Sequence, residues 1–259
     1  MLKVRACRYG TMMFRVNDIY IGGSLAAYAE FSEGECELFR AWLRPGDTAI
    51  DVGANIGCHT VAMSRFVGEA GRVVAFEPQR VPYQMLCGNV ALNDLRNVWA
   101  YWAPCSWNHR PVCVPDLPAG EHLNFGGMSL LEDHTSPVYE VEPIRIDDLG
   151  LDDVRLVKVD VEGMELDVLR GGEVTIMRDL PILYVEADKP DKNPAVKAWL
   201  DSHGYQVWKH SPPLYNPQNF AGNPVNVFVT HDHLQIVSVN WICIHRDDTT
   251  TPRPDTEPM

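Results

Sequence analysis

The stretch "DTAIDVGANIGCHT", residues 47–60, constrains the fold of this chain more than any other. A strand-length apolar run, Thr48–Val52, carries Asp51, turns through Gly53, Asn55 and Gly57, and gives way to helical periodicity over His59–Phe66. A strand that turns through glycine into a helix points backbone N–H groups and a helix N-terminus at a ligand, and glycine lets the main chain come close to it. Something nucleotide-like is therefore expected beside this turn. The next apolar run, Arg72–Phe76, stops at Glu77, where a carboxylate can accept hydrogen bonds from both hydroxyls of a ribose.

Further strand-length runs stand at Val98–Tyr101, Leu156–Val161, Ile182–Val185, Tyr205–Trp208 and Ile236–Ile244. Helical patterns fall between them at Glu35–Leu43, Pro82–Leu92, Met164–Leu169 and Pro194–Leu200. Strands alternating with helices imply an α/β fold, a mostly parallel sheet covered by helices on both faces. We expect a single domain over residues 1–246 with an N-terminal hairpin extension, residues 1–32, turning at Asn17-Asp18. Residues 104–140, rich in Pro, Gly, His and Asn, read as a functional loop, and residues 247–259 as a disordered tail.

A formal charge of −13 disfavours a nucleic acid or an anionic membrane as partner, since no local basic patch reverses the field. The apolar runs are strand-sized, so no membrane span is expected, and an N-terminus without the apolar core of a signal peptide suggests a cytoplasmic protein. Seven scattered cysteines without a C-x-x-C pair signal neither a disulfide framework nor a zinc knuckle. The oligomeric state is not encoded in any of these features.

Two cofactor classes share the strand–turn–helix geometry. A dinucleotide fingerprint G-x-G-x-x-G started at Gly53 would need glycine where Asn55 and Cys58 stand, which argues against a dinucleotide-dependent oxidoreductase. The pattern D-x-G-x-N-x-G resembles the first motif of class I S-adenosylmethionine (SAM) methyltransferases. Together with "VVAFEPQ", "NVALNDLRNV", "KVDVEGMELDVLRGG" and "LPILYVEAD", in this order, the chain is similar to the FkbM family of those enzymes. The resemblance implies a Rossmann-like, seven-stranded, mostly parallel sheet whose last strand is antiparallel, and methyl transfer mostly to oxygen. It assigns Gly53, Ala54, Asn55 and Gly57 to the methionine end of SAM, with Asp51 ordering the loop. Glu77 and Pro78 fall at the ribose, Ala103 to Ser106 near the adenine, and Asp160 near the methyl group. A non-catalytic module that keeps the fold for binding is the rival reading, although nothing in the motif is visibly degraded.

Open parallel sheets bind ligands beyond the carboxyl ends of their strands, which gathers Asp160, Glu162, Glu186 and Asp188 on one rim with the glycine turn. Methyl transfer from a sulfonium needs positioning above all, but an alcohol acceptor must also lose its proton. Asp160, Glu186, His109, His122 and His134 are candidate bases. Glu162 is a candidate catalytic group, or a residue favoured at a helix N-terminus. Asp160, Glu186 and Asp188 could instead hold a divalent metal, and Lys158 with Asp160 could be only a structural ion pair. The acceptor is expected to be a small or glycosylated metabolite. "SPPLY", residues 211–215, has Leu214 where an N/S/D-P-P-aromatic motif needs an aromatic ring, and reads as a stiff loop, a lid together with Tyr215 and Phe220. Trp99, Trp102 and Trp107 are candidates for an acceptor wall or for core packing.

Overall fold

A computed structural model describes residues 1–116, 138–230, 232 and 234–259. The chain opens with an antiparallel hairpin, β1 (Leu2–Cys7) and β2 (Gly10–Arg15), followed by α1 (Ile21–Tyr28) and α2 (Glu33–Trp42). Then come β3 (Thr48–Val52), α3 (Cys58–Val67), β4 (Arg72–Phe76), α4 (Arg80–Leu92) and β5 (Val98–Tyr101). A second hairpin, β6 (Val112–Pro115) with β7 (Val138–Val141), precedes β8 (Val154–Val159), α5 (Glu165–Gly171), α6 (Glu173–Asp179) and β9 (Ile182–Glu186). The last elements are α7 (Asn193–Ser202), β10 (Tyr205–His210) and β11 (Asn240–His245).

Seven strands form one sheet in the order β10-β11-β9-β8-β3-β4-β5. The pairs among β9, β8, β3, β4 and β5 are parallel, and β11 runs antiparallel to both of its neighbours. This is the expected Rossmann-like sheet with its last strand reversed. Alternation along the strands divides the core in two. Ile50, Val52, Val157 and Val159 pack on one face with Val168 of α5 and Leu200 of α7. Ala49 and Leu156 pack on the other with Phe39 of α2 and Met63 of α3. From β3 the chain proceeds through β4 to β5 on one side, and β8 and β9 lie on the other. The switch point thus falls between β3 and β8, where such sheets open a ligand crevice.

Several boundaries differ from the sequence expectation. The first hairpin turns at Arg8-Tyr9, with Cys7 opposite Gly10, whereas Asn17-Asp18 leads into α1. There the Asp18 carboxylate accepts the Tyr20 N–H at 3.2 Å, and its carbonyl accepts the Gly23 N–H. β8 ends at Val159 rather than Val161, because Glu162 and Gly163 take left-handed conformations (φ 55° and 108°) that carry the chain out of the sheet. The final strand starts at Asn240, since residues 236–238 bond to a loop instead: Leu214 N–H donates to the Ile236 carbonyl and Ser238 N–H to that of Pro212. Residues 247–259, expected to be disordered, lie along β10. Met259 N–H donates to the Val207 carbonyl at 2.7 Å, the Trp208 indole to that of Thr256 at 2.8 Å, and Arg155 to the Thr251 hydroxyl at 2.6 Å.

Candidate active site

The turn after β3 is built on alternate left-handed residues, Gly53 (φ 80°), Asn55 (φ 50°) and Gly57 (φ 88°). Glycine, and next to it asparagine, are the residues that tolerate this region, which explains the G-x-N-x-G spacing. Gly53 is also hemmed in: a Cβ there would stand 1.7 Å from the Asp160 carbonyl oxygen. Glycine at this position therefore also has a packing reason, the contact between the β3 turn and the end of β8, beside its place in the cavity lining.

Beyond the carboxyl ends of β3, β4, β8 and β9 lies a cavity of about 390 Å³. Of the candidates, Gly53, Ala54, Asn55, Glu77, Pro78, Ala103, Asp160, Glu162 and Glu186 line it, as does Asp188. Asp51, Gly57 and Ser106 do not. Asp51 is fully buried beneath the turn, where it accepts the Thr60 hydroxyl at 2.6 Å and faces Lys158 Nζ at 3.1 Å. Pairing of Asp51 with Lys158 across β3 and β8 puts both on the α2/α3 face. Lys158 also reaches Asp160 Oδ2 at 3.3 Å and donates to the Gly53 carbonyl at 3.3 Å. Burial opposes the lysine charge, but Asp51, Asp160 and Glu35 outweigh it and raise its pKa. Lys158 therefore stays cationic and ties the glycine turn to the central strand.

Glu77 is buried at the end of β4, and its two carboxylate oxygens accept the N–H groups of Asn55 and Gln79, each at 2.8 Å. Burial pushes its pKa up to about 7 against the help of those hydrogen bonds. Each oxygen keeps a second lone pair for a ligand hydroxyl.

Past the ends of β8 and β9, carboxylate oxygens of Asp160, Glu162 and Glu186 lie within 4.8 Å of one another. Glu162 Oε2 pairs with Lys189 Nζ at 2.5 Å, and Glu186 Oε2 is buried without a hydrogen-bond partner among the described residues. Burial, then repulsion by Asp160, Glu162 and Asp188, raises the Glu186 pKa far above the usual carboxylate range. Glu186 thus holds a proton at neutral pH unless a cation joins the cluster.

Two residues absent from the sequence expectation line the same cavity, Glu35 of α2 and His59 of α3. His59 follows directly on the glycine turn, so its place in the motif was the available signal; Glu35 sits on an amphipathic helix with nothing to mark it. Ile236 to Asn240 and Leu214 form the remaining wall with Tyr20 and Phe31. Leu214 of the "SPPLY" loop packs with Tyr28 and Phe228, so this loop does border the cavity, while Phe220 is exposed outside it. Trp99, Trp102 and Trp107 are outside the lining as well; Trp102 donates to the Pro78 carbonyl at 2.8 Å and Trp107 to Asp167 at 2.9 Å. His109 is exposed and not part of the lining, and His122 and His134 lie outside the described residues.

Comparison with known proteins finds a family match. Residues 51–207 match the family model of the methyltransferase FkbM domain. Methyltransferase sdnD of Sordaria araneosa is 30% identical over 190 residues, 61% of this chain and 73% of that protein. The 31-O-demethyl-FK506 methyltransferase FkbM of Streptomyces tacrolimicus is 29% identical over 245 residues, 82% of this chain and 91% of that protein. A solved structure of methyltransferase FkbM from Methylobacillus flagellatus KT gives a TM-score of 0.49 at 18% identity, covering 81% of this chain and 50% of that one.

Proposed function

The chain belongs to the FkbM family of SAM-dependent methyltransferases, and on that premise we propose that it methylates a hydroxyl of a sugar, glycolipid or secondary metabolite. SAM supplies an activated methyl group on a sulfonium. The observation that carries the site assignment is Glu77, a buried carboxylate lining the cavity with two acceptor positions to spare, which suits a ribose diol. Ala103 at the end of β5 borders the same half of the cavity and is assigned to the adenine. Gly53, Ala54 and Asn55 are assigned to the methionine end, and Asp51, which accepts the Thr60 hydroxyl outside the lining, to ordering the turn; Gly57 and Ser106 also lie outside the lining. The oxygen acceptor is supported by the cavity's carboxylates, which can take a hydroxyl proton, and by the relative in Streptomyces tacrolimicus, a 31-O-demethyl-FK506 methyltransferase.

The acid cluster favours one variation on this reading. Three carboxylates within 4.8 Å suit a hard divalent cation, which would hold an acceptor oxygen and lower its pKa. Asp160→Asn keeps shape and removes one charge. Activity recovered by excess magnesium would support the cation; loss without rescue would give Asp160 a direct part in the reaction; full, chelator-insensitive activity would remove Asp160 from both roles. The parent reading is tested by incubating the protein with methyl-labelled SAM and a panel of hydroxylated glycosides, polyketides and terpenoids. Label on a product oxygen is expected. Label on nitrogen or carbon only, or no transfer while SAM binds, would refute it.

A further inference from the structure

The cavity has a second polar centre that none of the SAM assignments uses. Glu35, only 5% exposed, accepts a hydrogen bond on Oε1 from Asn240 Nδ2 at 3.2 Å. Its Oε2 stands 3.3 Å from His59 Nε2. That ring nitrogen is buried, in a residue 6% exposed, and makes no aligned hydrogen bond among the described residues. Phe31 and Phe39 hold the imidazole by ring contacts at 5.6 and 5.5 Å. Glu35, His59, Ser238 and Asn240 line the cavity together with Tyr20, Phe31 and Leu214. Burying a carboxylate, and an imidazole whose Nε2 makes no aligned hydrogen bond among the described residues, against a cavity wall costs stability.

We propose that Glu35 is the base that accepts the proton of the acceptor hydroxyl, held in place by Asn240 and His59. The proposal rests on the O-methylation reading above. As the acceptor oxygen bonds to the methyl carbon and the carbon–sulfur bond of the sulfonium breaks, the hydroxyl proton passes to a Glu35 carboxylate oxygen and then to solvent. The positive charge lost at sulfur equals the charge of that released proton, so the step balances. His59 is the poorer base of the two: burial and Lys158 depress its pKa to about 3, so the ring is neutral and serves to orient Glu35. Burial raises Glu35 to about 7, which matches a base working near neutrality. The charged and titratable groups around it are Lys158 and Asp160 at the end of β8, His59 on α3, Tyr184 on β9 and Cys36 beside it on α2.

The test uses the full chain with Glu35→Gln, which keeps shape and removes the charge, and Asn240→Ala, which keeps the base but frees its orientation. Melting curves and SAH affinity establish that each variant folds; both should match the parent within about threefold, because neither residue belongs to the cofactor half. The first readout needs no acceptor. 4-Nitrophenol, whose neutral and ionised forms absorb differently, is titrated into the SAH-loaded protein. With Glu35 beside the hydroxyl, the bound probe should ionise at higher pH in the parent than in Glu35→Gln, and bind the parent roughly tenfold more tightly below the probe's pKa. No binding to the parent, or identical spectra and affinities in both, overturns the proposal. The second readout is the turnover of a hydroxyl acceptor found by the labelled-SAM panel. The parent rate should rise through about pH 7, Glu35→Gln should lose at least about a hundredfold with a flat profile, and Asn240→Ala should lose less and keep the rise. O-methyl product formed by Glu35→Gln at the parent rate would sink the base and leave the O-methylation reading standing. Absence of any O-methyl product would sink that reading, and the nitrophenol titration would still decide where Glu35 acts.

Discussion

Replacing Glu77 by glutamine tests the cofactor half at its most exposed assumption. The carboxylate accepts the Asn55 and Gln79 N–H groups, one on each oxygen. Glutamine offers one acceptor oxygen and an NH2 group, so one of those backbone donors then faces another donor. It also removes the charge that strengthens the hydrogen bonds to the ribose. Charge-assisted hydrogen bonds are worth about 1.5–3 kcal/mol, or roughly tenfold to more than a hundredfold in dissociation constant. Isothermal titration with SAM should show that loss. The pH dependence sharpens the test: since burial holds the Glu77 pKa near 7, parent affinity should rise between pH 6 and 8 as the group ionises. The variant should lack that component of the rise. A folded Glu77→Gln protein that binds SAM as tightly as the parent, with an unchanged pH profile, would refute the assignment.

Gly53→Val is expected to unfold or severely destabilise the chain rather than weaken SAM selectively, because the new Cβ meets the Asp160 carbonyl oxygen at 1.7 Å and φ is 80°; circular dichroism melting separates the two outcomes. Lys158→Met leaves the buried Asp51 without its cation and should cost about 3–5 kcal/mol in urea unfolding, partly recovered when Asp51→Asn is added. Glu186 has a folded pKa raised above its ordinary 4.5, so its contribution to stability is full below about pH 4.5 and is lost as pH rises toward the folded value. Glu186→Gln should therefore match the parent at pH 4 and exceed it in stability at pH 8, as read by chemical denaturation.

Strands buried on both faces were legible because their runs are continuous and apolar: Thr48–Val52 and Arg72–Phe76 carry the bounds expected of them. The glycine turn was legible for the related reason that left-handed backbone admits few residue types. The first hairpin was misplaced because Asn17-Asp18 looks like a turn, whereas Asp18 uses its polar atoms to start α1. α1 itself, "IGGSLAAY", hides behind two glycines and has little amphipathic contrast. The tail at residues 247–259 has Met259 as its one large apolar residue and is held by hydrogen bonds to β10, which composition does not reveal. In the site, carboxylates at strand ends were predictable from topology alone. Glu35 was not, because its place in the cavity lining depends on how α2 packs against the sheet, a tertiary fact with no local signature. His109 drew notice by composition, yet it is exposed on a loop outside the cavity.

The central claim is that the half of the cavity between the β3 turn and Glu77 holds the nucleoside of SAM, with the methyl group directed toward Asp160 and the acceptor half. A crystal structure of the full chain with SAH tests it directly. The account predicts both ribose hydroxyls on the Glu77 carboxylate, adenine beside Ala103 and the sulfur facing the space between Asp160 and Glu35. A nucleoside bound elsewhere, or one whose ribose contacts Asp160 or Glu186 while Glu77 keeps only its two backbone partners, would contradict it.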